Sequence, residues 1–232
     1  MDLPLIGRGR AADVFDLGNG RVLRRYRSPR PGQVEIEAAT MRMLHAAGAP
    51  VPEVFAADGS DIVMEKVAGR SMLDEIAARP WRTRSLGRRL GELHATLLAL
   101  RVGATEGLPT VGEGDSLLHL DFHAGNVMVD GPDATIIDWT NAARGPAGAD
   151  VAMSWMLIAT SSPDETEAPA LLRRLAVPVR RVFVNAYLAA TAEVADVPAW
   201  IPHVCARRLA DPNTRPAEAT EVRRFLSRYS GG

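Results

Sequence analysis

The apolar pattern changes period once along the chain, and that change limits the fold more than any other feature. Up to about residue 66, hydrophobic residues come in short runs divided by turn residues; from Ser71 onward they recur at helical spacing. Leu3–Gly7, Ala12–Leu17, Arg21–Arg27, Val54–Ala57 and Asp61–Glu65 read as strands, with Gly18-Asn19-Gly20 and Asp58-Gly59-Ser60 as hairpin turns. Ile36, Ala39, Met43, Leu44 and Ala47 repeat at helical spacing between Pro31-Gly32 and Gly48, so one helix is inserted among the strands. The expectation is an α+β chain: a small antiparallel sheet with one helix over residues 1–66, then a larger, mainly helical part over 67–232.

In the second part Ser71 and Asp74 form a capping box, and Leu86, Leu90, Leu93 and Leu97 make one stripe on a long helix starting near Trp81. Val127–Val129 and Ala134–Ile137 read as a hairpin around Asp130-Gly131-Pro132-Asp133. From Ala149 to Tyr229 the pattern is helical, punctuated by Pro163, Pro178, Pro198, Pro202, Pro212 and Pro216. The net charge of −1 gives no electrostatic reason to expect nucleic acid as a partner. No run is long and apolar enough for a membrane span, and the single cysteine, Cys205, suits a reducing cytoplasm. Lys66 is the only lysine, so chemistry that requires one must use it or do without.

The residues that carry chemistry cluster in His119-Leu120-Asp121-Phe122-His123-Ala124-Gly125-Asn126 and, beyond the hairpin, Asp138-Trp139. Pairing Val129 with Thr135 and Val127 with Ile137 brings Asn126 and Asp138 together at the open mouth of the hairpin. Mg²⁺ takes a few carboxylate or amide oxygens and completes its shell with water and substrate phosphates, so Asn126 and Asp138 offer a partial shell. Asp121, on the same loop, is a candidate base. His119 reads either as a structural histidine holding the loop or as a general base. His123 reads as a loop-ordering group, and the two histidines lack a third ligand at zinc spacing. Asp150 precedes an apolar helical run and reads as an N-cap.

These residues resemble the aminoglycoside phosphotransferase and choline kinase-like family: HLDFHAGN, then IIDWTNAARGPAGAD closing on Asp150. The resemblance implies a two-lobed protein-kinase-like fold, ATP and Mg²⁺ as cofactors, and a small-molecule hydroxyl as acceptor. It implies that Asp121 orients the hydroxyl and takes its proton, that Asn126 and Asp138 hold Mg²⁺, and that Asp150 anchors the catalytic loop. Gly7 and Gly9, in the turn Gly7-Arg8-Gly9-Arg10, would let the backbone approach phosphates. The family's third-strand lysine is absent; Arg24 stands at the matching position, with Glu37 as its implied helix partner. The backbones of Glu65 and Val67 would border adenine, beside Met64.

Two rivals stay open at this point. A nucleotide-binding protein without catalysis is suggested by Arg24, though it has no need of Asp121. A protein kinase is disfavoured because only 11 residues separate Asp138 from Asp150, which leaves little room for a peptide-binding loop. Arg173/Arg174 and Arg180/Arg181 fall on one helical face if the helix continues through Pro178. That charge favours a neutral or anionic acceptor over a polycationic aminoglycoside.

Overall fold

The computed structural model describes residues 3–9, 11–100, 107–161 and 170–229, without the side chains of 170–176. Arg10, Pro163, the first residues of the stretch after Arg101 and the Arg173/Arg174 side chains therefore lie outside the described residues.

The turn-rich first third forms β1 (Leu5–Arg8), β2 (Ala12–Gly18), β3 (Arg21–Tyr26), α1 (Gln33–Ala46), β4 (Val54–Asp58) and β5 (Asp61–Glu65). They build a five-stranded antiparallel sheet in the order β1-β2-β3-β5-β4. The sheet is not a simple meander, because α1 crosses over and leaves β4 at the edge. Alternation along β3 and β5 places Val22, Arg24 and Tyr26 opposite Met64, Ile62 and the turn before it on one face. That face packs on α1 through Val34, Ala38, Met41 and Leu44, all buried. Arg24 is thus a cation in a row of core positions.

Beyond Glu65 the chain forms β6 (Arg70–Ser71), α2 (Met72–Ala78), a 3₁₀ turn (Pro80–Arg82) and α3 (Thr83–Ala99). The Ser71 hydroxyl accepts the Asp74 amide at 3.0 Å, which is the expected cap. Strand β7 (Ser116–Leu118) precedes the 3₁₀ turn Ala124–Asn126, β8 (Val127–Asp130), β9 (Asp133–Ile136) and β10 (Ala143–Gly145). The remaining helices are α4 (Ala147–Thr160), α5 (Ala170–Ala190), α6 (Val197–Ala210) and α7 (Pro216–Tyr229). Strands β6, β7 and β10 are too short to leave a periodic signal in the sequence.

Two expectations need correction. The β8–β9 register is one residue tighter than expected: Val129 pairs with Ala134 and Val127 with Ile136, around the two-residue turn Gly131-Pro132. Gly131 adopts φ 56°, which glycine tolerates and which closes the loop in two residues. Pro178 and Pro202 also do not end helices; α5 and α6 run through them. Each proline removes one intrahelical hydrogen bond, a loss that burial elsewhere on the same helix offsets: Phe183 and Tyr187 on α5, Ile201, Val204 and Cys205 on α6.

Helix α4 is buried on almost every side and packs against α5, α6 and α7, forming the centre of the helical part. Helices α3 and α5 approach closely because Gly87 and Gly91 face α5. A Cβ at Gly91 would lie 2.6 Å from the Tyr187 carbonyl oxygen, and one at Gly87 2.6 Å from that of Phe183.

Candidate active site

The loop between β7 and β8 carries His119, Asp121, His123 and Asn126, and one buried carboxylate holds it in place. Asp150, on the first turn of α4, accepts the His119 amide and the Leu120 amide, each at 2.7 Å, and faces His94 Nε2 at 3.1 Å. His94 in turn meets the Tyr187 hydroxyl at 2.7 Å and stacks on Phe122. Burial would raise the Asp150 pKa, but the facing His94 imidazole and the hydrogen bonds donated to the carboxylate outweigh it and keep the carboxyl below its ordinary value. Leu120 is locked at φ 57° by these contacts.

His119 is fully buried beside Trp139. Its Nδ1 accepts the Asp121 amide at 3.3 Å, so Nε2 carries the proton and donates to the Ile137 carbonyl at 3.1 Å. Burial pushes its pKa down, against the nearby negative charges of Asp150 and Asp121. Both nitrogens are committed to backbone groups. His123 Nδ1 accepts the Gly125 amide at 3.0 Å, leaving Nε2 3.5 Å from Asp121 Oδ1.

The structure brings Asp121 and Asn126 into direct contact and sets Asp138 one residue beyond the backbone pairing of Asn126 with Ile137. Asn126 Nδ2 donates to the Asp121 carbonyl at 2.9 Å and to Asp121 Oδ2 at 3.2 Å. The Asn126 carbonyl accepts the Ile137 amide at 2.9 Å, one residue before Asp138. Asp138 reaches this position through a left-handed backbone turn, φ 65°, rather than through the longer hairpin expected from sequence.

Asp138 is also joined to the N-terminal sheet. Arg24 Nη2 donates to Asp138 Oδ1 at 2.7 Å and to Thr140 Oγ1 at 2.9 Å, and its Nη1 lies 3.3 Å from Glu37 Oε1. Thr140 donates to the same Asp138 oxygen at 2.7 Å; the Tyr26 hydroxyl contacts both Thr140, at 2.8 Å, and Glu37 Oε2. Burial works against charge on Arg24, yet the facing carboxylates hold it firmly protonated. Burial would raise Asp138 as well, but Arg24 and Thr140 pull it below its usual value. Burial prevails at Glu37 and raises its pKa in spite of Arg24. The sequence reading missed Tyr26, His94, Thr140 and Tyr187; each occupies a position on a strand, helix or loop where its pattern matches ordinary core or turn residues.

The other expected residues are more loosely connected. Gly7 and Gly9 lie at the β1–β2 turn, and the Gly9 amide is spent on the Ala12 carbonyl at 2.8 Å. The turn's tie to the cluster runs through the sheet, where Val14 pairs with Arg24. The Glu65 amide bonds the Glu53 carbonyl at 2.9 Å, whereas the Val67 amide has no partner among the described residues.

Among the described residues no three His, Cys, Asp or Glu side chains gather as a complete metal cage. The donors present fit a cation shared with phosphates instead. Asp138 keeps 36% of its side chain exposed, and neither its Oδ2 nor Asn126 Oδ1 has a partner among the described residues. Arg24 Nε is a buried donor with no partner among the described residues.

A family model described as the phosphotransferase enzyme family matches residues 2–108 and 104–184, together most of the chain. The chain belongs to that family. It is a small-molecule kinase by that membership. No curated protein sequence matches it. Solved structures with the same fold include a thermostable mutant of aminoglycoside phosphotransferase APH(4)-Ia in its apo form, at 16% identity and TM-score 0.71, covering 100% of this chain and 96% of that one. The streptomycin–ATP ternary complex of APH(2")-IIa follows at 13% identity and TM-score 0.62, covering 90% and 84%. Plasmodium vivax ethanolamine kinase shares 9% identity at TM-score 0.63, covering 99% and 83%. At these identities the likeness is one of fold, shared with aminoglycoside phosphotransferases and an ethanolamine kinase.

Proposed function

We propose that this phosphotransferase moves the γ-phosphoryl group of ATP, with Mg²⁺, to a hydroxyl of a small molecule. The observation that carries the reading is the Asp121–Asn126 contact with Asp138 just beyond the Asn126–Ile137 backbone pairing, and Arg24 reaching Asp138 from the sheet. Two lobes, residues 1–66 and 67–232, then bracket the nucleotide, with the free Val67 amide available to adenine.

Asn126 and Asp138 would hold Mg²⁺, which supplies charge neutralisation on the phosphates when bound. Arg24 adds a second fixed positive charge beside Asp138. Asp121 accepts the proton of the acceptor hydroxyl, while Asn126 Nδ2 fixes the direction of that carboxylate. His119 and Asp150 hold the loop's backbone, so neither needs to exchange a proton. Phosphoryl transfer has a loose transition state and gains most from this kind of positioning and charge.

The Arg-rich C-terminal region favours a neutral or anionic acceptor over an aminoglycoside. A reducing, cytoplasmic setting suits the single buried thiol, Cys205. The test is product detection with MgATP across hydroxylated metabolites and antibiotics, using the wild type and Asp121→Asn. The variant should bind MgATP normally and lose at least about 100-fold in turnover. Equal turnover would remove Asp121 from the reaction, saturable phosphorylation of aminoglycosides would overturn the acceptor class, and nucleotide binding without any product would favour the binding-only alternative.

A further inference from the structure

We propose that Thr140 is a positioning residue for the nucleotide, and that its hydroxyl is what allows an arginine to serve at position 24. The inference rests on the phosphotransferase reading and extends it to a residue with no part in the chemistry itself.

A guanidinium presents donors in a fixed plane, and each buried donor left without an acceptor costs about 1–3 kcal/mol. Arg24 is 9% exposed, so its donors depend on protein acceptors. Glu37 faces Nη1 as an ion-pair partner at 3.3 Å, while Asp138 takes one direction of Nη2 by hydrogen bond and Thr140 Oγ1 takes the other. An ammonium at this position would concentrate its charge at one point and have no need of the third acceptor. Thr140 also spends its own proton on Asp138 Oδ1. That oxygen therefore has two donors, and Oδ2, on the partly exposed carboxylate, remains for the cation. The Tyr26 hydroxyl lies 2.8 Å from Thr140 Oγ1 on the sheet side.

A hydroxyl suits this position better than a carboxylate. Arg24 already faces two anions, Glu37 and Asp138, and Glu37 is 1% exposed, so a third negative charge would find no counter-ion among these groups. A neutral acceptor satisfies the second direction of Nη2 without adding charge. The same hydroxyl links β3 to the loop carrying Asp138, and so couples the sheet's position to that of the metal carboxylate.

The experiment is a double-mutant cycle on Arg24→Lys and Thr140→Val, with Thr140→Ser as the conservative variant. MgADP affinity is read by calorimetry, and unfolding of the nucleotide-free protein is measured in parallel. Thr140→Val and Arg24→Lys should each weaken MgADP binding about 10-fold, and Thr140→Ser should restore affinity to near the wild-type value. Because both single changes break one shared contact, the double variant should be about as weak as the worse single, not about 100-fold weaker. Additive losses, or a Thr140→Ser variant as weak as Thr140→Val, would overturn the proposal. If the wild type binds no MgADP, the phosphotransferase reading fails by itself; the unfolding cycle still decides whether Thr140 and Arg24 act as a unit.

Discussion

His119 is a group whose burial can be turned into a pH dependence. Inside the protein its imidazole is neutral and its pKa depressed by burial. In the unfolded chain it titrates near about 6.5. Protonation therefore favours unfolding: its contribution is fully present above about pH 6.5 and is lost as pH falls through that value toward the folded pKa, at up to about 1.4 kcal/mol per pH unit. Urea unfolding between about pH 7 and pH 5 should show that slope in the wild type, reduced by about one proton in His119→Gln. An unchanged slope would mean that the imidazole is not held neutral. At this scale the sequence was informative where polar residues interrupt an apolar run, as Asp121, Asn126 and Asp138 do. His94 sits between Leu90 and Leu97 on the stripe of α3, where nothing in the spacing separates a hydrogen-bonding residue from a packing one. Thr140 follows Trp139 in a loop, where threonine is common for reasons of turn geometry alone.

Secondary-structure elements were legible to the extent that periodicity sets them. The strands β2, β3, β4 and β5, the helices α1 and α3, and the cap at Ser71 follow from residue patterns. The β8–β9 register did not, because it depends on whether two or three residues close the turn, and a step of one residue exchanges the two faces of a strand. The prolines in α5 and α6 misled for a related reason: a proline's local penalty is fixed, whereas the burial that offsets it depends on partners distant in sequence. The α3–α5 pair shows such a long-range dependence. Gly91→Ala would set a Cβ 2.6 Å from the Tyr187 carbonyl oxygen and 2.7 Å from the Ala190 Cβ. Overpacking of this kind should cost about 1–3 kcal/mol in denaturant unfolding. Because Tyr187 holds His94, and His94 faces Asp150, the loop between β7 and β8 should loosen too, seen as faster amide exchange at His119 and Leu120. Unchanged stability and exchange would show that the two helices can separate at little cost.

Taken as a whole, the molecule has its sheet and its helical part tied by a small buried charge network rather than by hydrophobic contact alone. Arg24 and Glu37 come from the sheet side, Asp138 and Thr140 from the loop after β9. A ligand bound only by the folded protein stabilises it by about 2.7 kcal/mol at a hundred times its Kd. MgATP should therefore raise the melting temperature more than ATP with a chelator does. Asp138→Ala should abolish that difference, and a variant that keeps it would move the cation to another site. The same network explains why α+β architecture could be read early and the link between the sheet and the loop after β9 could not: the contacts run between positions 24 and 140, with no local pattern connecting them.

Lys66 is the only residue in the chain with an ε-amine, and it forms an ion pair with Asp16 of β2 at 2.6 Å, just after the strand that would border adenine. Amine-directed dyes or cross-linkers therefore have a single side-chain target, just past the end of β5, and a fluorophore attached there would act as a built-in reporter of ligand arrival without any engineered cysteine.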